Sequence, residues 1–470
     1  MCIHRVLAAV LSALCVAPLV AAQGDTCEPQ FIPGFVGLTY SFVYDMDIEG
    51  DHLLFGDRSA YTACSTPDPF VCPGGAVFAY RWIDDRWGHI QTIIPPDLGH
   101  NEGFGRTVHV EGDTMMVASG KDGGQVYVYA FNPDIGEWIE TDRIYPAPGS
   151  YEHFFGAVLA FDSGLAILAQ GSLVGGQPPL LHRYVLGEEQ WEYRDTFEGP
   201  GAPVSNYGKS IRINEDWIIV SADHDRTYGD RHGSVYVYRR NPDDTFEFFQ
   251  KLLPPEVEAG GPFEPGLMYG VNVAFDGRTL AISAPGTSRD FENQGIIYIY
   301  EFDGEAWTLR QELGHSMAGE LHAGSFGVGL SVDGDTLVAA MSRKFSRVSF
   351  VFRRGVDGRW REVAVVRPTH PEATAFGFIS AVEGDRIVIG APEAYVLDPD
   401  YTRYGAAYAY DVRCLICPAD LDADGALTIF DFLTFQNLFD AGDMLADFDG
   451  DGELTIFDFL AFQTAFDAGC

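Results

Sequence analysis

Two short acidic segments near the C-terminus carry the most specific residue spacing in the chain. They read Asp420-Leu-Asp-Ala-Asp-Gly-Ala-Leu-Thr-Ile-Phe-Asp431 and Asp447-Phe-Asp-Gly-Asp-Gly-Glu-Leu-Thr-Ile-Phe-Asp458. Aligned over 23 positions, through Gly442 and Gly469, they share 17 identities. Carboxylates at alternate positions can converge on one hard cation. Calcium takes about six to eight oxygens at roughly 2.3–2.6 Å. Asp420, Asp422 and Asp424 stand at loop positions one, three and five, as do Asp447, Asp449 and Asp451. Gly425 and Gly452 at position six permit the sharp turn such a loop needs. Position seven (Ala426, Glu453) offers a backbone carbonyl, position nine (Thr428, Thr455) a hydroxyl or a bridged water, and position twelve (Asp431, Asp458) the closing carboxylate. The spacing predicts two calcium ions.

A helix must follow each loop to place the twelfth residue. In the first, Ile429, Phe430, Phe432, Leu433, Phe435, Leu438 and Phe439 cover more than one helical face; Ile456, Phe457, Phe459, Leu460, Phe462 and Phe466 do so in the second. A unit of about fifty residues buries only part of that apolar area. An exposed patch at Ile429, Phe430, Ile456 and Phe457 is therefore predicted, of the kind that docks a partner. Aspartate rather than glutamate at position twelve, a single helix after each loop and the 27-residue offset resemble the dockerin family. Cys417-Pro418 and the terminal Gly469-Cys470 make the unit similar to the GC-type dockerins of planctomycete secreted proteins. The resemblance implies a calcium-dependent tether to a cohesin-like or cell-surface protein.

Most of the remaining chain is a repeat. Phe104-Gly105, Phe155-Gly156, Tyr207-Gly208, Tyr269-Gly270, Phe326-Gly327 and Phe376-Gly377 open successive units, their glycines 51, 52, 62, 57 and 50 residues apart. An earlier unit has Gly50-Asp51 and Gly75 to Tyr80 but shows no aromatic-glycine pair, giving seven units in all. Each has four strand candidates. Gly-Asp turns such as Gly334-Asp335 precede the second. Val235-Tyr-Val-Tyr238 and Ile297-Tyr-Ile-Tyr300 alternate with period two and mark the third, and a tryptophan (Trp191, Trp307, Trp360) marks the fourth. Repeated four-stranded units of this period predict a seven-bladed β-propeller. The units, best seen at Phe376-Gly377 to Pro392 and Tyr269-Gly270 to Pro285, resemble FG-GAP repeats of integrin α-subunits. The calcium loops of that family would need a spaced Asp-x-Asp-x-Asp-Gly order, which Asp223-His224-Asp225 and residues 289–293 lack.

The seventh unit stops at its third strand, Ala407 to Tyr410, and residues 27–36 can supply the fourth. That closure would bring Cys27 beside Cys414. Cys64 and Cys72 share one loop, and Cys417 and Cys470 bound the C-terminal unit, so these pairs are the predicted disulfides among fifteen possible pairings. Zinc at Cys414-Leu-Ile-Cys417 would lack two further ligands.

Residues 1–22 read as an export signal: Arg5, an apolar run to Val20 and a small-residue cleavage site before Gln23. Residues 23–413 would form the propeller and 414–470 the dockerin-like, all-α unit. The net charge of −38 excludes a nucleic-acid backbone as partner. No other segment is apolar enough to span a bilayer. The histidines are scattered between units, and no metalloprotease or hydrolase motif occurs. His224, His232, Asp223, Asp225 and Asp230 form the densest polar group, read as an exposed turn. The expectation is a secreted or cell-surface binding protein whose propeller displays or recognises a glycan or protein. The alternative is a polysaccharide-active enzyme with its carboxylates in the propeller funnel.

Overall fold

The computed structural model of the chain describes residues 28–34, 42–60, 74–98, 102–120, 124–146, 155–170, 180–188, 190–197, 206–228, 231–260, 266–288, 293–317, 325–343, 346–370, 373–394, 405–415, 417, 419–422, 426–448 and 453–468. Seven four-stranded antiparallel sheets account for the strands up to Asp411, apart from one small two-stranded ribbon. Six blades use consecutive strands, within residues 45–93, 107–144, 155–197, 211–252, 273–313 and 326–366. The seventh joins Ile379–Glu383, Arg386–Ala391 and Ala406–Asp411 to the N-terminal strand Gln30–Pro33. Gln30 faces Ala409 and Pro33 faces Ala406 in antiparallel register. The ring is thus closed by pairing the chain's start with its last propeller strand, which covers an edge that would otherwise be open.

The Gly-Asp turns link the first and second strands. Gly50, Gly112, Gly334 and Gly384 sit there with φ between 53° and 56°, a region that disfavours residues with a Cβ. In the third strands both faces are buried, because each blade packs between two others. Val235, Tyr236, Val237 and Tyr238 are all buried. Leu54, Val77 and Ile93 of blade one meet Phe104, Val117 and Tyr127 of blade two in one such layer. The third and fourth strands share a register shift at equivalent places: Ala79/Tyr80, Val128/Tyr129, Arg183/Tyr184, Val237/Tyr238, Ile299/Tyr300 and Val351/Phe352. A bulge repeated in six blades twists each outer strand in the same sense.

The aromatic-glycine pairs sit where one unit hands over to the next. The glycines at 105, 156, 208, 270, 327 and 377 have φ between 71° and 90°. Blade one, which shows no such pair in its sequence, has Phe42-Val43 in that place. Phe42 is fully buried, and Val43 takes φ 68°. The unit keeps the backbone geometry and lacks only the glycine.

Blades are also stitched at their outer strands. Gln91 donates from Nε2 to the carbonyl of Trp138 at 3.1 Å and accepts the Trp138 N–H at 2.7 Å. Gln250 treats Trp307 in the same way (3.0 and 2.8 Å), and so does Gln311 with Trp360 (2.7 and 2.9 Å). These buried tryptophans therefore fix the fourth strand through their main chain.

Beyond Val412–Cys414 the described residues include two α-helices, Ile429–Ala441 and Ile456–Ala468, with a 3-10 turn, Met444–Ala446, between them. Cys414 and Cys417 are half-buried. Cys27, Cys64, Cys72 and Cys470, and with them the predicted pairings, lie outside the described residues, as do the export-signal residues 1–22. No helix among the described residues is long and apolar enough to cross a membrane.

Candidate functional site

The C-terminal unit is built on its two helices. Thr428 is the N-cap of the first: its hydroxyl accepts the Phe430 N–H at 3.1 Å, and Asp431 Oδ2 accepts the Thr428 N–H at 2.8 Å. This capping box satisfies amide groups that a helix start leaves unpaired. Gly442, with φ 73°, ends the helix in the left-handed conformation. The second helix repeats the arrangement, with Phe457 N–H on Thr455 Oγ1 at 3.1 Å and Thr455 N–H on Asp458 Oδ2 at 2.7 Å. Phe435 and Phe462 stack between the helices with centroids 4.4 Å apart, and Ala419 and Ala446 complete a small core.

Asp431 and Asp458, the two twelfth positions, are 0% exposed. Each reaches back to its own loop as well as to its cap. Asp431 Oδ1 accepts the N–H of Leu421 at 2.9 Å and of Asp422 at 3.3 Å, while Asp458 Oδ1 accepts that of Phe448 at 2.8 Å. One carboxylate thereby ties the start of the loop to the start of the helix. Asp420, Asp422 and Asp431 each offer an oxygen, and the three lie within 4.8 Å of one another. Oxygens bound to one calcium at about 2.4 Å stand no further apart than about 4.8 Å. The donor set is all oxygen, as that ion requires.

In the first loop, Ala426 is exposed and Thr428 is half-buried; in the second, Asp447 and Thr455 are half-buried and Glu453 is exposed. Asp424, Asp449 and Asp451 lie outside the described residues. Ile429, Phe430, Ile456 and Phe457 are each 63% exposed, with Leu433 and Leu460 beside them also exposed. Phe432, Phe435, Phe459 and Phe462 face the core from the same helices.

The polar group on blade four is not the exposed turn expected. Asp223, Asp225 and His232 are buried. Asp225 accepts from Lys251 Nζ at 2.7 Å, Ser234 Oγ at 2.7 Å, Thr227 N at 2.8 Å and Thr227 Oγ1. Burial alone would raise its carboxyl, but these bonds outweigh burial and hold it well below the usual carboxylate range. The partner Lys251 comes from the outer strand, so spacing along the loop gave no sign of it. Asp223 instead contacts His224 Nδ1 at 2.9 Å and Asn206 Nδ2 at 3.1 Å. Asp225 acts as a brace for the loop. Asp230 lies outside the described residues.

The propeller encloses a channel of about 430 Å³, lined by inner-strand residues of all seven blades. Its charged lining, which sequence spacing did not reveal, includes Asp45 and Asp47 from blade one, His109 from blade two and Arg212 from blade four.

No family model matches the chain, and no curated protein matches it. Among solved structures, the chain is similar to the RRP9 WD40 repeats, at 10% identity and TM-score 0.49, covering 82% of this chain and 98% of that one. It is also similar to Sqt1 of Saccharomyces cerevisiae, at 8% identity and TM-score 0.47, covering 82% and 86%. A third similarity is to a putative 6-phosphogluconolactonase from Bacteroides uniformis, at 12% and 0.43, covering 68% and 82%. The blade count stands on this chain's own sheets, and these distant likenesses add nothing about function.

Proposed function

We propose that this is an exported binding or scaffold protein in which the propeller is the display or recognition platform and the C-terminal unit is a calcium-dependent tether. In this reading residues 1–22 direct export, the propeller is of FG-GAP type and the C-terminal unit is dockerin-like. The observation that carries it is the convergence of Asp420, Asp422 and Asp431 beside a buried, capped helix start. Two ions would be held, one by Asp420, Asp422, Asp424, Ala426, Thr428 and Asp431, the other by Asp447, Asp449, Asp451, Glu453, Thr455 and Asp458. Bound calcium would supply the positive charge that lets clustered carboxylates sit together; the helices would then present Phe430 and Phe457 to a cohesin-like or cell-surface partner. Twofold repetition of the apolar face supports this, because isoleucine, phenylalanine and leucine are exposed at equivalent places on both helices.

The test is a pull-down of surface proteins from the producing cell with the full chain, in calcium and in chelator, beside a chain ending at residue 413. Capture of one defined protein that requires both calcium and residues 414–470 supports the tether. Equal capture by the shortened chain sinks it.

A further inference from the structure

Two opposite charges face the channel without meeting. Arg212 lies on blade four and Asp45 and Asp47 on blade one, so they are as far apart around a seven-bladed ring as two blades can be. Arg212 makes one hydrogen bond, from Nη1 to the Ile211 carbonyl at 2.8 Å, and no ion pair among the described residues. A guanidinium has five N–H donors, so most of its capacity is unused. Asp45 accepts the Val108 N–H at 2.9 Å on Oδ2, with a further bond from the Met46 main chain. Asp47 accepts the Val110 N–H at 2.9 Å and pairs with His109 Nδ1 at 2.7 Å, both through Oδ2. Among the described residues no side chain donates to the Oδ1 atom of either aspartate. Burial, with repulsion from Asp47, pushes the Asp45 carboxyl up to about 7, against the main-chain bonds and the Arg212 charge across the channel, which favour its ionised form.

The inner-strand carboxylates facing the channel are anchored alike to the following blade: Asp45 to Val108 N, Asp47 to Val110 N, Glu49 to Gly112 N, Glu111 to Ser163 N and Glu383 to Gly50 N, whereas the half-buried Arg212 bonds only to its own neighbour among the described residues. Asp45 and Arg212 share one cavity, of a size that suits a small ligand. We propose that the channel binds a small zwitterion, its ammonium facing Asp45 and Asp47 and its carboxylate facing Arg212. Arginine suits a carboxylate because its planar fork can donate two parallel bonds. The two Oδ1 atoms suit an ammonium, which donates and does not accept. The site is independent of the C-terminal unit and of any calcium there.

The experiment is a calorimetric titration of the full chain with ω-amino acids from glycine to 6-aminohexanoate, with propionate and propylamine as singly charged controls. One chain length is expected to saturate, with both controls at least ten-fold weaker. Arg212→Gln and Asp47→Asn should each weaken that ligand at least ten-fold. Asp45→Asn, which keeps an oxygen for the Val108 amide, guards against a variant that fails to fold and should weaken it similarly. No saturation by any zwitterion at about 10 mM would overturn the proposal. Equal binding of a singly charged control, or saturation by glucuronate and no zwitterion, would do the same.

Discussion

Gln30 and Trp87 exchange two hydrogen bonds: Gln30 Nε2 donates to the Trp87 carbonyl and Gln30 Oε1 accepts the Trp87 N–H, each at 2.8 Å. Gln91, Gln250 and Gln311 make the same exchange one blade further on. The N-terminal strand therefore does more than pair with Ala406–Asp411; it also supplies the link from blade seven to blade one. Gln30→Ala is expected to lower stability by about 1–3 kcal/mol, because it leaves main-chain groups of a buried residue unpaired. Gln91→Ala should cost a similar amount. Urea unfolding of both variants checks this, and a silent Gln30→Ala beside a costly Gln91→Ala would refute the equivalence.

Val43 gives an inverted order of substitution. Alanine at this site removes buried methyl groups and keeps a φ that costs a residue with a Cβ roughly 1–2 kcal/mol. Glycine removes a little more and relieves that cost. Val43→Gly should therefore be at least as stable as Val43→Ala, whereas glycine is usually the worse by about 0.5–1 kcal/mol. Thermal unfolding of the two variants decides it.

Acid sensitivity should follow two buried histidines. Burial pushes His182 and His315 down to about 4. His182 is held by Gln170 Oε1 and Thr196 Oγ1, and His315 lies between Phe326 and Phe350. Each favours its neutral form in the folded chain. Its contribution is complete above the unfolded value near 6.5 and is lost as pH falls from there toward 4, by about 3 kcal/mol per histidine at most. Asp45 runs the other way: its raised carboxyl gains stability as pH falls from 7 toward 4. The net slope mixes these effects, so the measurement is a difference. Relative to the native chain, His315→Leu should gain stability as pH drops from 6.5 to 4. A constant difference across that range would show that His315 does not protonate on unfolding.

Calcium should bind with a stoichiometry of two. Asp431→Ala is expected to weaken one site at least ten-fold and to loosen the first helix start even without calcium, because Leu421 and Thr428 both lose an acceptor. Asp458→Ala should do the same for the other site. Calorimetry reads the sites, and helical circular dichroism in chelator reads the caps. Two unaltered sites in both variants would contradict the proposed ligands.

The exposed aromatic pair is tested apart from the ions. Phe430→Asp with Phe457→Asp should leave two calcium sites intact and abolish capture of the tethering partner. Unchanged capture would remove these residues from the contact.

Much of this architecture can be read from the chain because a propeller repeats its instructions. Gly334-Asp335 and Ile297 to Tyr300 are local signals, each sufficient to mark a turn or a strand, and seven copies supply the register. Blade one was harder to recognise because Val43 tolerates a conformation that usually calls for glycine. The C-terminal loops are legible for a similar reason, since Asp420 to Asp431 is one contiguous segment. What spacing hides is assembled across strands. Asp225 looked exposed because Lys251, its main partner, lies on an outer strand. Arg212 and Asp45 carry no motif at all, and only closure of the ring turns both toward one cavity.

That closure also sets an order in time. Gln30 is made early, yet its partner Ala409 and the seventh blade follow only after nearly the whole propeller has been synthesised. Contacts so distant along the chain form slowly, since the loop must close before any bond rewards it. Until then both flanks of the unfinished ring carry strand edges able to pair with another chain. A cell making this protein in quantity would be expected to shield the emerging blades, and the yield of folded chain should depend on that protection more than on final stability.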